Sequence, residues 1–331
     1  MKLEQMPRYP LLCGFTPLQR MENLEQALGC GPLYIKRDDL TPLGLGGNKT
    51  RKLEFLLGDA LAGGADTLVT VGGVQTNHGR LTAAAAAKAG LACTLVLDGA
   101  RPEKLSGNLL LDCLLGASLV YTDGRSTSAV IEETLAALQA AGRAPYFIPE
   151  GGSNAVGSAG YLAMVPELLA QADSLPVPPA RLVCTMGSLG TFAGLWLGAR
   201  AFGAPFSVTG VAVNPTTGYT REKAAALVNE MSAAYGLDIA AAPEDMDIIY
   251  ADAAHDYAGP GYNVPDAKTR GAVELLARTE GIFLDPCYTA KSFRGFCDIA
   301  RELDGGAIFV HTGGTPALWT QEHLDAFAAD Y

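Results

Sequence analysis

The chain has 331 residues, enough for two packed lobes, and its 49% hydrophobic and 18% charged residues are typical of a globular protein. The formal net charge of -11 argues against nucleic acid as a partner, because phosphate binding needs clustered Lys and Arg. No apolar run has the length of a membrane span or the form of a signal peptide, so we expect neither membrane insertion nor secretion. The seven cysteines are an odd number without a C-x-x-C pair, which indicates neither a disulfide framework nor a zinc site and favours a reducing cytoplasm.

Short apolar runs alternate with longer helical stretches through most of the chain, a pattern typical of crossover units that build a parallel sheet. In chain order, the predicted strands cover residues 33–36, 67–71, 93–97, 118–121, 146–148, 181–184, 207–213, 247–250 and 308–311. The predicted helices between them include 50–62, 82–89 and 127–141. The sequence therefore predicts an α/β fold.

A glycine-rich turn, residues 44–48, comes directly before the predicted helix 50–62, and Lys49 follows it. Such a turn leaves room for a small molecule, and a lysine amine that has lost its proton is a nucleophile. Asn48 stands where a Walker loop requires Gly, and the glycine spacing does not match a dinucleotide-binding loop. A solvated lysine at a helix start is the ordinary alternative. We interpret Lys49 as the covalent anchor of an aldehyde cofactor.

Polar residues follow the predicted strand 67–71, at the edge where parallel sheets bind ligands. Thr76, Asn77 and His78 open a helix there, and free N–H groups at a helix start favour a carboxylate. The alternative is a simple helix cap formed by Thr76 or Asn77. We favour a carboxylate site, because capping alone does not explain three such side chains in one turn.

The loop 185–191 follows the predicted strand 181–184 and precedes another helix. Gly187 and Gly190 allow the backbone to close around an anion, and Ser188 and Thr191 add hydroxyl donors. This composition predicts a phosphate site, although glycine-rich turns also occur for packing alone.

Two tyrosines and one threonine complete the set of candidates. Tyr262 and Tyr288 each lie in a proline-bearing loop, which would hold a phenol rigidly toward a cleft. Taken singly, each would more often be a core tyrosine. Thr312 follows the last predicted strand in a loop without a carboxylate. His255 and His323 have no partner pattern, and we expect both at the surface.

These separated motifs, in this order, resemble the family of D-cysteine desulfhydrases and 1-aminocyclopropane-1-carboxylate deaminases, within the fold type II (β-family) pyridoxal-phosphate enzymes. The likeness extends from residues 36–39 through 46–52 and 75–80 to 311–318. It implies a two-lobed fold similar to the β-subunit of tryptophan synthase, in which each lobe is a twisted, mostly parallel sheet flanked by helices. We expect a smaller domain at 48–155, a larger cofactor-binding domain made of 1–47 and 156–331, and a homodimer.

The resemblance also implies how pyridoxal 5′-phosphate would be bound. Lys49 would hold the cofactor as a Schiff base, Asn77 would bond its 3′-hydroxyl and Thr312 would face its pyridine nitrogen. A neutral hydroxyl cannot stabilise a pyridinium as a carboxylate would, so this nitrogen should stay unprotonated, which favours elimination. The phosphate would be held by the loop of Gly187, Ser188, Leu189, Gly190 and Thr191.

A small amino acid would be the substrate. Thr76, Asn77 and His78 would meet its carboxylate, with Tyr262 and Tyr288 above the reacting carbon, and either Lys49 or Thr76 would take the α-proton.

Two positions separate the branches of the family. His78 and Thr289 match the desulfhydrases, where deaminases have Gln and Glu. This implies a carbon–sulfur lyase that converts D-cysteine to pyruvate, hydrogen sulfide and ammonia. An L-cysteate sulfo-lyase, a 1-aminocyclopropane-1-carboxylate deaminase and a catalytically silent anion-binding protein remain alternatives. Thr76, Cys287 and Ala290 depart from the Ser, Val and Gly of the family, and the methyl of Thr76 should narrow the pocket.

Overall fold

The computed structural model describes residues 3–215 and 218–331. Within these residues, the strands are β1 (Leu18–Arg20), β2 (Leu33–Arg37), β3 (Thr67–Gly73), β4 (Ala92–Asp98), β5 (Ser118–Tyr121), β6 (Pro145–Ile148), β7 (Pro179–Met186), β8 (Ser207–Ala212), β9 (Ile248–Ile249) and β10 (Gly306–His311). They form two sheets, one of four strands in the order β5-β4-β3-β6 and one of six in the order β1-β2-β10-β7-β8-β9. All pairs are parallel except β1 with β2.

Helices flank both sheets. They are α1 (Glu22–Leu28), α2 (Lys49–Ala62), α3 (Asn77–Ala89), α4 (Gly107–Leu114), α5 (Thr127–Ala140), α6 (Ala155–Leu162), α7 (Met164–Ala172), α8 (Gly190–Ala201), α9 (Arg221–Tyr235), α10 (Ala267–Glu280), α11 (Thr289–Glu302) and α12 (Gln321–Ala328). This alternation of strands and helices confirms the α/β prediction.

All nine predicted strands are present. The structure differs from the prediction in one additional edge strand and in the start of one helix. The short edge strand β1 was not predicted, because three residues without an apolar run give no strand pattern. Helix α3 begins at Asn77 and not at residue 82, because the Thr76 hydroxyl accepts the N–H of Gly79 and caps a turn that precedes the alanine run. The polar residues of that turn therefore belong to the helix.

Helix α2 lies between the two sheets. Its Leu53, Leu56 and Leu57 belong to the apolar cluster that covers the four-stranded sheet. Phe55, on the opposite face, belongs to a cluster on the six-stranded sheet. Lys49, the first residue of α2, consequently lies where the two lobes meet. The domain boundaries 48–155, 1–47 and 156–331 stay a prediction.

A group of buried, paired charges connects α2 to the neighbouring strand and helices. The Arg51 guanidinium donates to Asp38 Oδ2 at 2.8 Å and to Glu167 Oε2 at 2.9 Å, and Lys36 also pairs with Glu167. The Tyr161 hydroxyl donates to the same Asp38. We call these five residues the Arg51 cluster. It joins β2, α2, α6 and α7, and its carboxylates raise the pKa of Arg51 above the usual value.

His323 is fully buried, so the prediction of a surface residue was wrong. Helix α12 places it near Asp266, Arg270 and Lys291, and burial lowers its pKa to about 4. Its polar neighbours in sequence gave no sign of this burial. His255 lies at the surface, as expected, with its side chain 42% exposed. Among the described residues, we find no helix that combines the length and the apolar character needed to cross a membrane.

Candidate active site

A cavity of about 290 Å³ opens where the carboxyl ends of strands from both sheets meet. Ten of the twelve predicted site residues line it: Lys49, Thr76, Asn77, His78, Gly187, Ser188, Thr191, Tyr262, Tyr288 and Thr312. Leu189 and Gly190 lie just behind the wall. The Leu189 side chain packs into the core, and the Gly190 N–H donates to Ser153 Oγ at 3.1 Å. The structure thus brings together residues that are up to 263 positions apart, from Lys49 to Thr312.

The glycine turn aims Lys49 into this cavity. Gly46 has a φ of +74°, and a Cβ at this position would lie 1.8 Å from the carbonyl oxygen of Asp39, so only glycine fits. Burial lowers the pKa of Lys49 to about 8, opposed by the carboxylate of Glu150. A sizeable fraction of the amine is therefore neutral near physiological pH, as a nucleophile requires.

Lys52 was not predicted, yet it lies one helical turn beyond Lys49 on the same face of α2. It is fully buried, and its Nζ donates to the carbonyl oxygen of Gly151 at 2.9 Å. Among the described residues it forms no ion pair, and burial together with the Lys49 charge holds its pKa well below the usual value. A Cβ at Gly190 would lie 2.6 Å from this amine. Lys52 thus places a buried amine without a counter-ion among the described residues directly behind the predicted phosphate loop, and a bound anion would favour its protonated form.

The phosphate loop is held by side chains from two other segments. Ser153 donates to Ser188 Oγ at 2.9 Å, and the Asn48 amide donates to Thr191 Oγ1 at 3.0 Å. The loop leads into α8, a helix of twelve residues. The N–H groups in the first turn of this helix point toward the loop. Two hydroxyls, a helix N-terminus and the Lys52 amine together have the chemistry to bind a multiply charged anion.

Gly187 has a separate role. A Cβ there would lie 2.9 Å from the Tyr288 ring, so the missing side chain allows this phenol to pack over the loop.

The start of α3 combines a cap with an anion site. Thr76 Oγ1 accepts the Gly79 N–H at 3.2 Å, so the capping interpretation holds for this hydroxyl. The main-chain N–H groups of Asn77 and His78, in the first turn, have no intrahelical partner. The Thr76 methyl lies against Gly79, where a Cβ would approach it to 2.5 Å. The extra methyl is therefore accommodated by the glycine, and its contacts give no support to the expected narrowing of the pocket.

The hydrogen bonds of His78 define its tautomer. Its Nε2 lies 2.8 Å from Thr70 Oγ1, and the single proton of that hydroxyl is donated to the carbonyl oxygen of Ile148 at 2.8 Å. Thr70 must therefore accept, so Nε2 carries the imidazole proton and Nδ1 is unprotonated. Nδ1 is buried without a partner among the described residues, and burial next to Lys49 holds the pKa of His78 well below 6.5. The ring is neutral and offers the cavity a lone pair.

The orientation of the Asn77 amide is also fixed. Its Oδ1 accepts from Arg80 Nη1 at 3.2 Å and from Asn108 Nδ2 at 3.0 Å. A reversed amide would place its NH₂ group against two donors. Nδ2 consequently lies on the other side, toward Gly314, as a free donor at the cavity wall.

Tyr262 and Tyr288 form an edge-to-face pair with ring centroids 5.8 Å apart. Burial holds the pKa of both phenols well above 10, so both are neutral donors. The Tyr262 hydroxyl is buried without a hydrogen-bond partner among the described residues. Asp285 fixes Tyr288 by accepting its N–H at 2.8 Å, and the Thr289 hydroxyl donates to the same carboxylate at 2.6 Å.

Besides Asn48 and Thr185, which lie in segments that the sequence had singled out, three polar wall residues lay outside every predicted site segment: Asp98, Glu150 and Asn214. Each follows the end of a predicted strand, so the rule that located the other loops also applied to them. They gave no composition signal, because each is a single polar residue among ordinary neighbours.

These residues fit a phosphorylated aldehyde. The Lys49 amine, the Lys52 amine beside the α8 N-terminus and the free Asn77 donor supply a nucleophile, a phosphate site and a partner for an aromatic hydroxyl. A model of the family described as pyridoxal-phosphate dependent enzymes matches residues 10–313. The chain therefore belongs to the family of pyridoxal-phosphate dependent enzymes.

The relatives of the chain narrow this class. It is 41% identical to the D-cysteine desulfhydrase of Yersinia enterocolitica, over 96% of this chain and 97% of the relative. It is 39% identical to a Pyrococcus abyssi protein provisionally assigned as a 1-aminocyclopropane-1-carboxylate deaminase, over 96% and 94% of the two chains. A crystal structure described as an ACC deaminase homologue superimposes with a TM-score of 0.88 at 36% identity, covering 99% of this chain and 97% of that one.

These matches confirm several predictions. The resemblance to the D-cysteine desulfhydrase and 1-aminocyclopropane-1-carboxylate deaminase family, the two-lobed fold type II architecture, the cofactor pyridoxal 5′-phosphate and a lyase that depends on it are all confirmed. A fungal L-serine ammonia-lyase from Rhizomucor miehei, at 19% identity and a TM-score of 0.66, shares the fold. The roles of the individual site residues stay predictions.

Proposed function

We propose that this enzyme catalyses β-elimination from a small amino acid, D-cysteine above all, to give pyruvate, hydrogen sulfide and ammonia. One observation favours a thiol as the leaving group: two neutral phenols line the cavity, while Lys49 is the one cationic side chain among the described wall residues. A phenol can protonate a departing thiolate, whereas the sulfonate of L-cysteate would call for a further cation.

The residues around the cavity would hold the cofactor in one orientation. Lys49 would anchor its aldehyde carbon, Asn77 Nδ2 would donate to its 3′-oxygen and Thr312 would face its pyridine nitrogen. The phosphate would lie against the loop of Gly187, Ser188, Leu189, Gly190 and Thr191, with the Lys52 amine behind that loop. When bound, the cofactor supplies a conjugated ring that accepts the electrons of the substrate's α-carbon.

The protein would bind the substrate carboxylate at the start of α3. Thr76 and the main-chain N–H groups of Asn77 and His78 are the donors there, because the His78 ring offers only a lone pair. This contact would leave the α-carbon facing Lys49.

Lys49 Nζ would take the α-proton, since its lowered pKa leaves the amine able to accept one. The Thr76 hydroxyl is a weaker candidate, because its oxygen already accepts the Gly79 N–H. Tyr288, with Tyr262 beside it, would donate a proton to the departing sulfur.

Deamination of 1-aminocyclopropane-1-carboxylate is a second candidate activity, because one of the relatives is assigned as such a deaminase. Thr289, where that branch has Glu, donates its hydroxyl to Asp285 and is fully buried, so position 289 offers no carboxylate here. This observation favours the desulfhydrase activity.

A panel of substrates tests the proposal: both enantiomers of cysteine and of cysteate, and 1-aminocyclopropane-1-carboxylate. We expect sulfide and pyruvate from D-cysteine at the highest kcat/KM. Sulfite release from L-cysteate, or 2-oxobutyrate from the cyclopropane, as the preferred reaction would contradict it. A protein that stays colourless with pyridoxal phosphate and turns over none of these substrates would favour the silent anion-binding protein.

A variant of Tyr288 tests the proton donor. We expect Tyr288→Phe to lower kcat/KM for D-cysteine by about a hundredfold or more, and for β-chloro-D-alanine much less, because chloride leaves without a proton. Tyr262→Phe is the matched control. Equal losses for both substrates would show that Tyr288 does not protonate the leaving group.

We further propose that the enzyme works as a homodimer in the cytoplasm. All seven cysteines are free, which agrees with a reducing compartment, and the family resemblance implies the dimer. Light scattering of the purified protein tests the oligomeric state.

A further inference from the structure

Arg80 connects three parts of the site from behind the cavity wall. It is fully buried on α3, and its Nη2 donates to the carbonyl oxygen of Gly46 at 2.7 Å, in the turn that carries Lys49. Its Nη1 donates to Asn77 Oδ1 at 3.2 Å and to Asn108 Oδ1 at 2.7 Å. Asn108 returns to Asn77 Oδ1 through its own Nδ2. Both partners of Asn77 Oδ1 are therefore members of one network centred on a guanidinium.

The charge of Arg80 has no direct counter-ion among the described residues. Its two nearest carboxylates are Asp112, on α4, and Asp285, before α11. Asp285 is already engaged by three main-chain N–H groups and a hydroxyl. Asp112 is buried with neither oxygen hydrogen-bonded, and burial raises its pKa to about 7, so it is largely neutral below that pH. The guanidinium therefore acts on its surroundings as a poorly compensated positive charge.

We propose that Arg80 is a positioning residue that holds the Asn77 amide as a donor and places a positive charge behind it, so that the 3′-oxygen of the bound cofactor is kept as an anion. The bound cofactor has a yellow form, in which the 3′-oxygen is an anion and the nitrogen of its lysine link carries the proton. It also has a colourless form, in which the proton lies on that oxygen. A nearby positive charge and a donor amide both favour the anion. The inference depends on the cofactor placement proposed above.

The test is the absorption spectrum of the cofactor-loaded protein at pH 6, where Asp112 is largely neutral, in Arg80→Gln and in the matched control Arg80→Lys. We expect Arg80→Gln to lower the ratio of yellow to colourless form by at least about fivefold, because a buried charge close to the oxygen is lost. Arg80→Lys keeps the charge and should stay within about twofold of the wild type. An unchanged ratio in Arg80→Gln would overturn the proposal.

Two further variants keep the test decisive if Arg80→Gln does not fold. Asn108→Asp places a negative charge on the atom to which Nη1 donates, and Asn108→Ala removes the same amide without adding a charge. We expect a ratio about threefold lower in the aspartate variant than in the alanine variant. Equal ratios would show that charge is not the operative property.

A purely structural role of Arg80 has a different outcome. It would weaken cofactor binding or thermal stability in Arg80→Gln and Arg80→Lys alike, and leave the ratio in the bound fraction unchanged. A wild-type protein that stays colourless with pyridoxal phosphate would instead contradict the cofactor placement itself. The two failures are therefore distinguishable.

Discussion

Two neighbouring residues on α2, Arg51 and Lys52, bury a cation in opposite ways. Arg51 is matched by two carboxylates, Asp38 and Glu167, which raise its pKa. Lys52 is buried as completely, has only neutral partners such as the Gly151 carbonyl, and has a pKa well below its usual value. The Arg51 cluster thus contains its own counter-charges, whereas Lys52, one residue further along the helix, has none among the described residues. We call Lys49, Lys52 and Arg80, which all lack a direct ion-pair partner there, the open cluster.

This difference indicates that the Arg51 cluster stabilises the fold, whereas the open cluster would bind ligands. A buried charge is tolerated when its partners are within the chain, and the Arg51 cluster meets this condition. Around Lys49, Lys52 and Arg80 the described part of the chain provides no carboxylate in direct contact, although burial of each charged group is costly. An anionic cofactor and the carboxylate of an amino acid would supply the missing charge. The site is therefore electrostatically incomplete without its ligands.

The largest effect should come from removing the nucleophile of the open cluster. Lys49→Ala loses both the covalent anchor and the proposed acceptor of the α-proton, so we expect kcat/KM to fall by at least about a thousandfold. Steady-state assays with D-cysteine measure this, and exogenous methylamine should restore part of the rate. An activity within tenfold of the wild type would contradict the role of Lys49.

The Arg51 cluster should contribute to the free energy of unfolding. Arg51→Met leaves Asp38 and Glu167 buried with too little positive charge, and we expect the free energy of unfolding to fall by about 3–5 kcal/mol. Urea unfolding of the apoprotein, followed by circular dichroism, measures the change. A loss below about 1 kcal/mol would show that the Arg51 cluster does not stabilise α2.

Lys52→Met is the matched variant one residue away. Because no carboxylate loses a partner, we expect the apoprotein to be as stable as the wild type or more so. Its dissociation constant for pyridoxal phosphate should rise by about 10- to 100-fold, since the positive charge that a bound phosphate would induce behind the loop is lost. If this variant destabilised the apoprotein as much as Arg51→Met, the contrast between the two clusters would fail.

The last effect concerns pH. The folded apoprotein holds the pKa of Lys49 at about 8, against 10.5 for an ordinary lysine. Between these values the unfolded chain binds more protons, so the Lys49 contribution to the free energy of unfolding rises with pH from about 8 to about 10.5. We expect the wild type to gain roughly 3 kcal/mol over Lys49→Ala across this window. A constant difference between the two apoproteins would contradict the lowered pKa.

Much of the fold could be predicted from the sequence, because parallel strands leave continuous apolar runs between helices. The edge strand β1 and the first turn of α3 lacked such a signal: one is three residues long, and the other consists of polar residues. His323 was misplaced for a related reason, since its burial depends on the packing of α12 and not on its neighbours in sequence.

The residues of the candidate site also differ in whether the local sequence signals them. Loops with several unusual residues together, such as Thr76 to His78, could be found from sequence. Lys52 and Arg80 could not, because each is an ordinary helical cation until its burial and its partners are known. The tautomer of His78 and the orientation of the Asn77 amide depend on hydrogen bonds to Thr70 and Asn108, which are distant contacts.

The central claim is that the open cluster binds pyridoxal phosphate through Lys49, with Lys52 serving the phosphate. Borohydride reduction of the cofactor-loaded protein, followed by peptide mass mapping, tests it most directly, since both lysines are buried amines of lowered pKa. The account predicts a reduced pyridoxyl group on Lys49 alone, and none on Lys52 in the wild type. A label on Lys52, or a yellow protein in which borohydride fixes no label, would contradict it.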